Sequence, residues 1–133
     1  MTKTLTDEKI IRKMFSINDT TSWDNLYQVF TLDILYSRPG QPLLRNIDSV
    51  VDYFKNQRPI ESGTHKIHQI IAINDDTYHI LGWFEGKLKN GSEFSTGFFD
   101  LIKLRNDEIC LRKTYLDNQS DDDIRNELYS FIA

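Results

Sequence analysis

Three runs decide the fold: YHILGWFEGKL (residues 78–88), EFSTGFFDLIKL (93–104) and EICLRKTYLD (108–117). β-branched and aromatic residues fill them, and turn residues part them, Lys89-Asn90-Gly91-Ser92 and then Arg105-Asn106-Asp107. This pattern predicts three antiparallel strands. Asn90-Gly91 suits a type I′ hairpin, whose two central residues both need positive φ. Strands of about ten residues reach roughly 33 Å, longer than usual. A meander of that length must twist and bend, so it has a hollow side. The hollow is where a function is expected.

Upstream, residues 65–73 read as a further strand, opened by Ser62-Gly63-Thr64 and closed by Asn74-Asp75-Asp76. Residues 47–57 read as a helix with Ile47, Val50, Val51 and Phe54 inward, stopped by Arg58-Pro59. A short strand over 31–36 ends at Ser37-Arg38-Pro39-Gly40-Gln41-Pro42, where Pro-Gly signals a turn. Two amphipathic helices come first. One covers 5–17, with Thr4 or Thr6 as cap, Asp7 and Glu8 at the positive end of the dipole, and a stripe of Ile10, Ile11, Met14 and Phe15. The other covers 23–30, with Trp23, Leu26, Tyr27 and Phe30 on one face. Residues 120–132 read as a last helix capped by Ser120, with Ile124, Leu128, Phe131 and Ile132 in register. The order ααβαββββα predicts an α+β domain with helices gathered on one face of a mainly antiparallel sheet.

A chain of 133 residues reads as a single domain able to bury a core without metal or disulfides. A net charge of −4 offers no basic stripe for nucleic acid. The lone Cys110 fits a reducing compartment, and no 18-residue apolar run is present, so the expected location is the cytoplasm. His65 and His68 fall on opposite faces of a strand and His79 stands alone, so no metal-ligand spacing exists and no cofactor is expected.

Several short motifs agree in order and spacing with one superfamily. They are Trp23-Asp24-Asn25-Leu26, Phe30-Thr31-Leu32-Asp33, Pro39-x-x-Pro42, Ile47-x-x-Val50-x-x-Tyr53-Phe54, residues 99–104 (FDLIKL) and Ile109-x-x-Arg112-x-x-Tyr115-x-Asp117. Over residues 5–117 the chain resembles the nuclear-transport-factor-2-like (NTF2-like) superfamily, in its SnoaL-like, polyketide-cyclase-like branch. The resemblance implies a cystatin-like cone: a strongly bent, mixed, mainly antiparallel sheet with helices on its concave face and a conical pocket between them. It also implies a homodimer through the convex face, where strand faces left uncovered by helices would meet a second copy. Asn46 stands where the family often has glycine, and asparagine tolerates the left-handed region.

The same resemblance supplies candidates for chemistry. Asp100 matches the protonated acid of ketosteroid-isomerase-like relatives, and its alternation class (Phe94, Thr96, Phe98, Ile102, Leu104) is apolar enough to raise a carboxyl pKa. That family's other two roles fall on Met14 and Arg38, which cannot fill them. Limonene-epoxide-hydrolase-like relatives place acids near Glu85 and Asp117, but their arginine falls on Trp83. His68, in His-Gln-Ile-Ile, resembles a pocket histidine of SnoaL-like chains and suits a base near neutral pH, or else a hydrogen-bonded core histidine. Asp33 and Asp117 would support Asp100 and His68. Trp23, Tyr27, Tyr36, Trp83, Glu85, Phe98 and Tyr115 are the expected ligand-binding residues, although aromatics at such spacing equally form ordinary core. A one-residue register decides whether Trp83 and Glu85 or Gly82 and Phe84 face inward. Two functions are compatible: a cofactor-independent isomerase, cyclase or hydrolase acting on a small hydrophobic molecule, or a non-enzymatic module that binds such a molecule without chemistry or serves as a structural dimerisation unit.

Overall fold

A computed structural model describes residues 2–117, so the helix expected over 120–132 lies outside the described residues. The described chain runs α1 (Thr2–Asp19), a 3₁₀ turn (Trp23–Gln28), β1 (Phe30–Ser37), β2 (Leu44–Arg45) and α2 (Ile47–Asp52). A π turn (Tyr53–Gln57) widens the end of α2 and leads into β3 (Ile60–Ala72), β4 (Thr77–Leu88), β5 (Glu93–Arg105) and β6 (Glu108–Leu116). The six strands make one sheet in the order β2-β1-β6-β5-β4-β3. All neighbours are antiparallel except β1 and β6, which are parallel. The architecture is α+β, as expected.

Helix α1 starts earlier than its cap residues suggest, because nothing from Thr2 to Thr6 breaks it. Asp7 therefore lies inside the helix. It is fully buried, accepting from Lys3 Nζ at 2.6 Å and from the Tyr78 hydroxyl of β4 at 2.7 Å. The second helix is shorter than expected. The Val29 carbonyl accepts from Ile109 N–H at 2.7 Å, which draws the chain into the sheet and makes Phe30 a strand residue. Asn46 does adopt positive φ, at 69°, and its side chain caps α2 by accepting from Ser49 N–H at 3.0 Å.

The two hairpin turns exchange the expected roles. At 89–91 only Gly91 has positive φ, and Leu88 N–H reaches the Ser92 carbonyl at 2.8 Å, giving a three-residue loop. The turn with two positive φ values is Asn106-Asp107, at 52° and 64°. Its flanking residues, Arg105 and Glu108, pair directly, so this is the I′-type hairpin.

Register settles the faces. Phe84, Thr96, Phe98, Asp100, Ile102 and Arg112 share the side on which α1 and α2 pack, and Trp83, Glu85, Phe99 and Tyr115 take the other. Ile11, Met14, Phe15, Leu26 and Val50 from the helical layer fill the core against Phe30, Ile34, Ile80, Ile102 and Ile109 of the strands. Bulges bend the sheet between Ile60 and Ser62, between Ile67 and Gln69, and between Lys103 and Leu104.

On the inner face the bend brings rings down onto glycines. A Cβ on Gly63 would lie 2.1 Å from Phe84, and one on Gly82 would lie 2.3 Å from the Lys66 carbonyl and 2.6 Å from the Phe98 ring. Gly82→Ala must therefore push backbone as well as ring. We expect it to lower unfolding free energy by about 1–3 kcal/mol, the usual range for overpacking. Urea denaturation measures this, and an unchanged midpoint would contradict the close packing.

Candidate active site

The inner sheet face, α1 and the segments after β1 and α2 enclose a cavity of about 200 Å³. Tyr36, Tyr53, Phe54, Phe84 and Phe98 make its apolar walls, and Asn18, His65, Asp100, Arg112, Arg38 and Arg58 give it polar points. An apolar hollow of about 150 Å³ is enough for benzene. This one admits a single ring with a short polar arm.

At the deep wall, Arg112 Nε donates to Asp100 Oδ2 at 2.9 Å, and both side chains are buried. Arg112 Nη1 also donates to Asn18 Oδ1 at 3.2 Å, while Asn18 Nδ2 donates to the Met14 carbonyl at 2.9 Å. The guanidinium lies 5.3 Å from the Phe15 ring centre and 4.9 Å from that of Tyr36. One cation thus joins α1, β1, β5 and β6. Asp100 Oδ1 has no hydrogen-bond partner among the described residues. Burial pushes the Tyr36 phenol up from its ordinary pKa, so it stays a neutral hydroxyl.

The second polar point is a histidine held by an acid. Asp19, the last residue of α1, takes His65 Nδ1 at 2.6 Å with one oxygen and His65 backbone N–H at 3.0 Å with the other. The ring sits among Phe15, Phe84 and Phe98 at centroid distances of 4.9, 4.5 and 5.2 Å. Burial lowers the His65 pKa below 6.5, an effect that the Asp19 bond only partly offsets. The imidazole is therefore neutral at pH 7. With the proton on Nδ1 toward Asp19, Nε2 carries the lone pair.

Only part of the expected set gathers here. Asp100, Tyr36 and Phe98 line the cavity. Trp23 stands behind it, stacked on Phe54 at 4.7 Å. His68 is exposed and does not line it, because a bulge lets Ile67 pair with Gly82 and Gln69 with Leu81, leaving His68 as the extra residue. Asp33 is an exposed partner of Arg105. Tyr27 is exposed and donates to Asp48 at 2.6 Å. Trp83 and Tyr115 belong to the outer face, and Glu85 borders an open groove with Ser62, Lys87 and Glu93. Asp117 lies past the end of β6, where its backbone N–H and carbonyl bond Gly97 and Thr96. Sequence reasoning did not assign Asn18, Asp19, His65, Arg58 or Arg112 to the site. The alternation that places Phe98 and Asp100 inward also carries Arg112 there, through its pairing with Ile102.

No protein-family model and no curated protein matches the chain. Solved structures do. An NTF2-like protein of unknown function from Burkholderia pseudomallei superimposes with a TM-score of 0.76 at 12% identity, over 96% of this chain and 98% of that one. This chain has the NTF2-like fold. Also similar are a putative SnoaL-like polyketide cyclase from Jannaschia (TM-score 0.74, 8% identity, 96% and 92% covered) and a limonene-epoxide-hydrolase-like (LEH-like) epoxide hydrolase from M. tuberculosis (0.74, 13%, 85% and 84%). Among the described residues, no helix of this NTF2-like chain is long and apolar enough to cross a membrane.

The deep pair yields a quantitative expectation. Removing one partner leaves a buried charge, which typically costs about 3–5 kcal/mol. Asp100→Leu and Arg112→Met should each show a loss of that order in denaturant melts, and the double variant should recover most of it. Additive losses would mean that the two side chains do not compensate one another.

Proposed function

We propose that this protein is an enzyme that takes a compact, largely apolar molecule into the cup and moves protons on it with its own side chains. The observation that carries the reading is the Asp19–His65 pair, whose imidazole lines the cavity. Asp19 orients the ring and stabilises the imidazolium that forms when Nε2 accepts a proton. Guanidiniums lining the same cavity would stabilise negative charge developing on a substrate oxygen. The base is therefore His65, and Asp100 acts through Arg112 as a positioning residue. The similar folds of a cyclase and an epoxide hydrolase support this class of chemistry by analogy of fold only. A second reading, in which the cup holds its molecule unchanged, draws on Arg112, which engages the acid that faces the cavity.

Incubating the protein with single-ring epoxides, cyclic enones and enol esters, followed by NMR, tests the proposal. One class should turn over, and His65→Gln should slow it by roughly 10²–10⁴-fold, the usual worth of a general base. Because burial lowers the His65 pKa, the rate should hold as pH falls through 6.5 and drop only at lower pH, when the imidazole charges. Turnover unchanged in His65→Gln would remove the assigned base. Binding without turnover of any class would favour the second reading.

We further propose that the protein works as a twofold homodimer in the cytoplasm. Leu81, Trp83, Phe99, Leu101 and Tyr115 make an apolar patch on the outer face, and Cys110 is a free thiol. Sedimentation equilibrium at micromolar concentration should give twice the monomer mass, and Phe99→Glu should halve it. A wild-type monomer would count against the assembly.

A further inference from the structure

The cup holds more positive charge than its own acid balances. Among the described residues its lining contains three guanidiniums, Arg38, Arg58 and Arg112, against one carboxylate, Asp100, and Arg112 engages that one. Arg38 is 9% exposed and Arg58 5%, and neither meets a carboxylate among the described residues. Arg38 Nη2 donates to the Pro42 carbonyl at 3.4 Å, but Arg38 Nε and Nη1 and Arg58 Nε are buried donors without an acceptor among the described residues.

Aromatic rings satisfy the faces of these cations but not their edges. The Arg38 guanidinium carbon lies 3.7 Å from the centre of the Tyr53 ring, and that of Arg58 lies 4.9 Å from that of Trp23. Stacking leaves the N–H groups, which lie in the guanidinium plane, available to an acceptor in that plane. A planar carboxylate is the acceptor that such a fork fits. The backbone helps as well. Each arginine precedes a proline, which restricts it to extended geometry, and Arg58 sits at φ −59° and ψ 129°. Little backbone freedom remains to be lost when an anion binds.

We infer that Arg38 and Arg58 form a carboxylate subsite and that the molecule taken up is a small single-ring carboxylate. Its apolar body packs against Phe84 and Phe98, and its carboxylate accepts from the two guanidiniums. This rests on the reading above that the cup binds a small molecule. It extends that reading by fixing the charge of the ligand and the end by which it is held.

Calorimetric titration of the full chain with benzoate, its neutral isostere benzamide and inorganic phosphate tests the assignment. Benzoate should bind at least 10-fold more tightly than benzamide at low salt. The preference should shrink to under 3-fold in both Arg38→Met and Arg58→Met, with benzamide affinity unchanged as the sign that the cup is intact. Should either variant fail to fold, the wild-type contrast between benzoate and benzamide still decides. Equal affinity for the two compounds would overturn the subsite and leave the cup standing. Binding of neither would overturn both. Phosphate binding more tightly than benzoate would overturn the carboxylate assignment.

Discussion

A guanidinium in a protein interior is costly unless it finds charge and acceptors, and the more deeply it is buried the more that costs. Arg112 meets that requirement with Asp100 of β5, Asn18 of α1 and the rings of Phe15 and Tyr36. Its partners come from the helical layer and from both halves of the sheet, so the pair fixes how far α1 stands off the strands. That separation is what leaves a hollow instead of a continuous core. The aromatic walls then form because the bent strands carry glycine under Phe84 and Phe98, letting both rings lie close to the backbone.

The electrostatics of the hollow follow from the same geometry. His65 is neutral because apolar rings surround it, and it is oriented because Asp19 ends α1 beside it. Arg38 and Arg58 reach the cavity from segments outside the sheet, where prolines and the π turn set the chain path. Acid, imidazole and guanidinium therefore arrive from different layers, and no single element carries the whole constellation.

That distribution explains what the sequence reveals. The meander, the class of fold and the inward set around Phe98 and Asp100 are written as alternation, a local signal that survives bending. The choice of Phe84 over Trp83 is not local, because it depends on pairing with Thr96 across the hairpin. Alternation puts His65 and His68 on opposite faces without saying which faces in, and the bulge that leaves His68 as a spare residue is silent in one sequence. The type I′ assignment to Asn90-Gly91 failed because the loop took three residues, whereas Asn106-Asp107 had just two to use. Buried arginines are the least legible of all. Composition places Arg at the surface, and only the three-dimensional partners of Arg112 show why it is inside.

The bulge at His68 has an evolutionary corollary. It works as a one-letter insertion in a strand whose reading frame is two, so the segments on either side keep their inner and outer faces only because a spare residue sits between them. Deleting that residue would restore plain alternation, with Ile67 and Ile70 still facing in. Loss of a residue from the regular stretch between Ser62 and Ile67 would instead turn part of the strand inside out. Descendants of this chain are thus free to trim the strand at such a bulge without disturbing the wall that His65 belongs to.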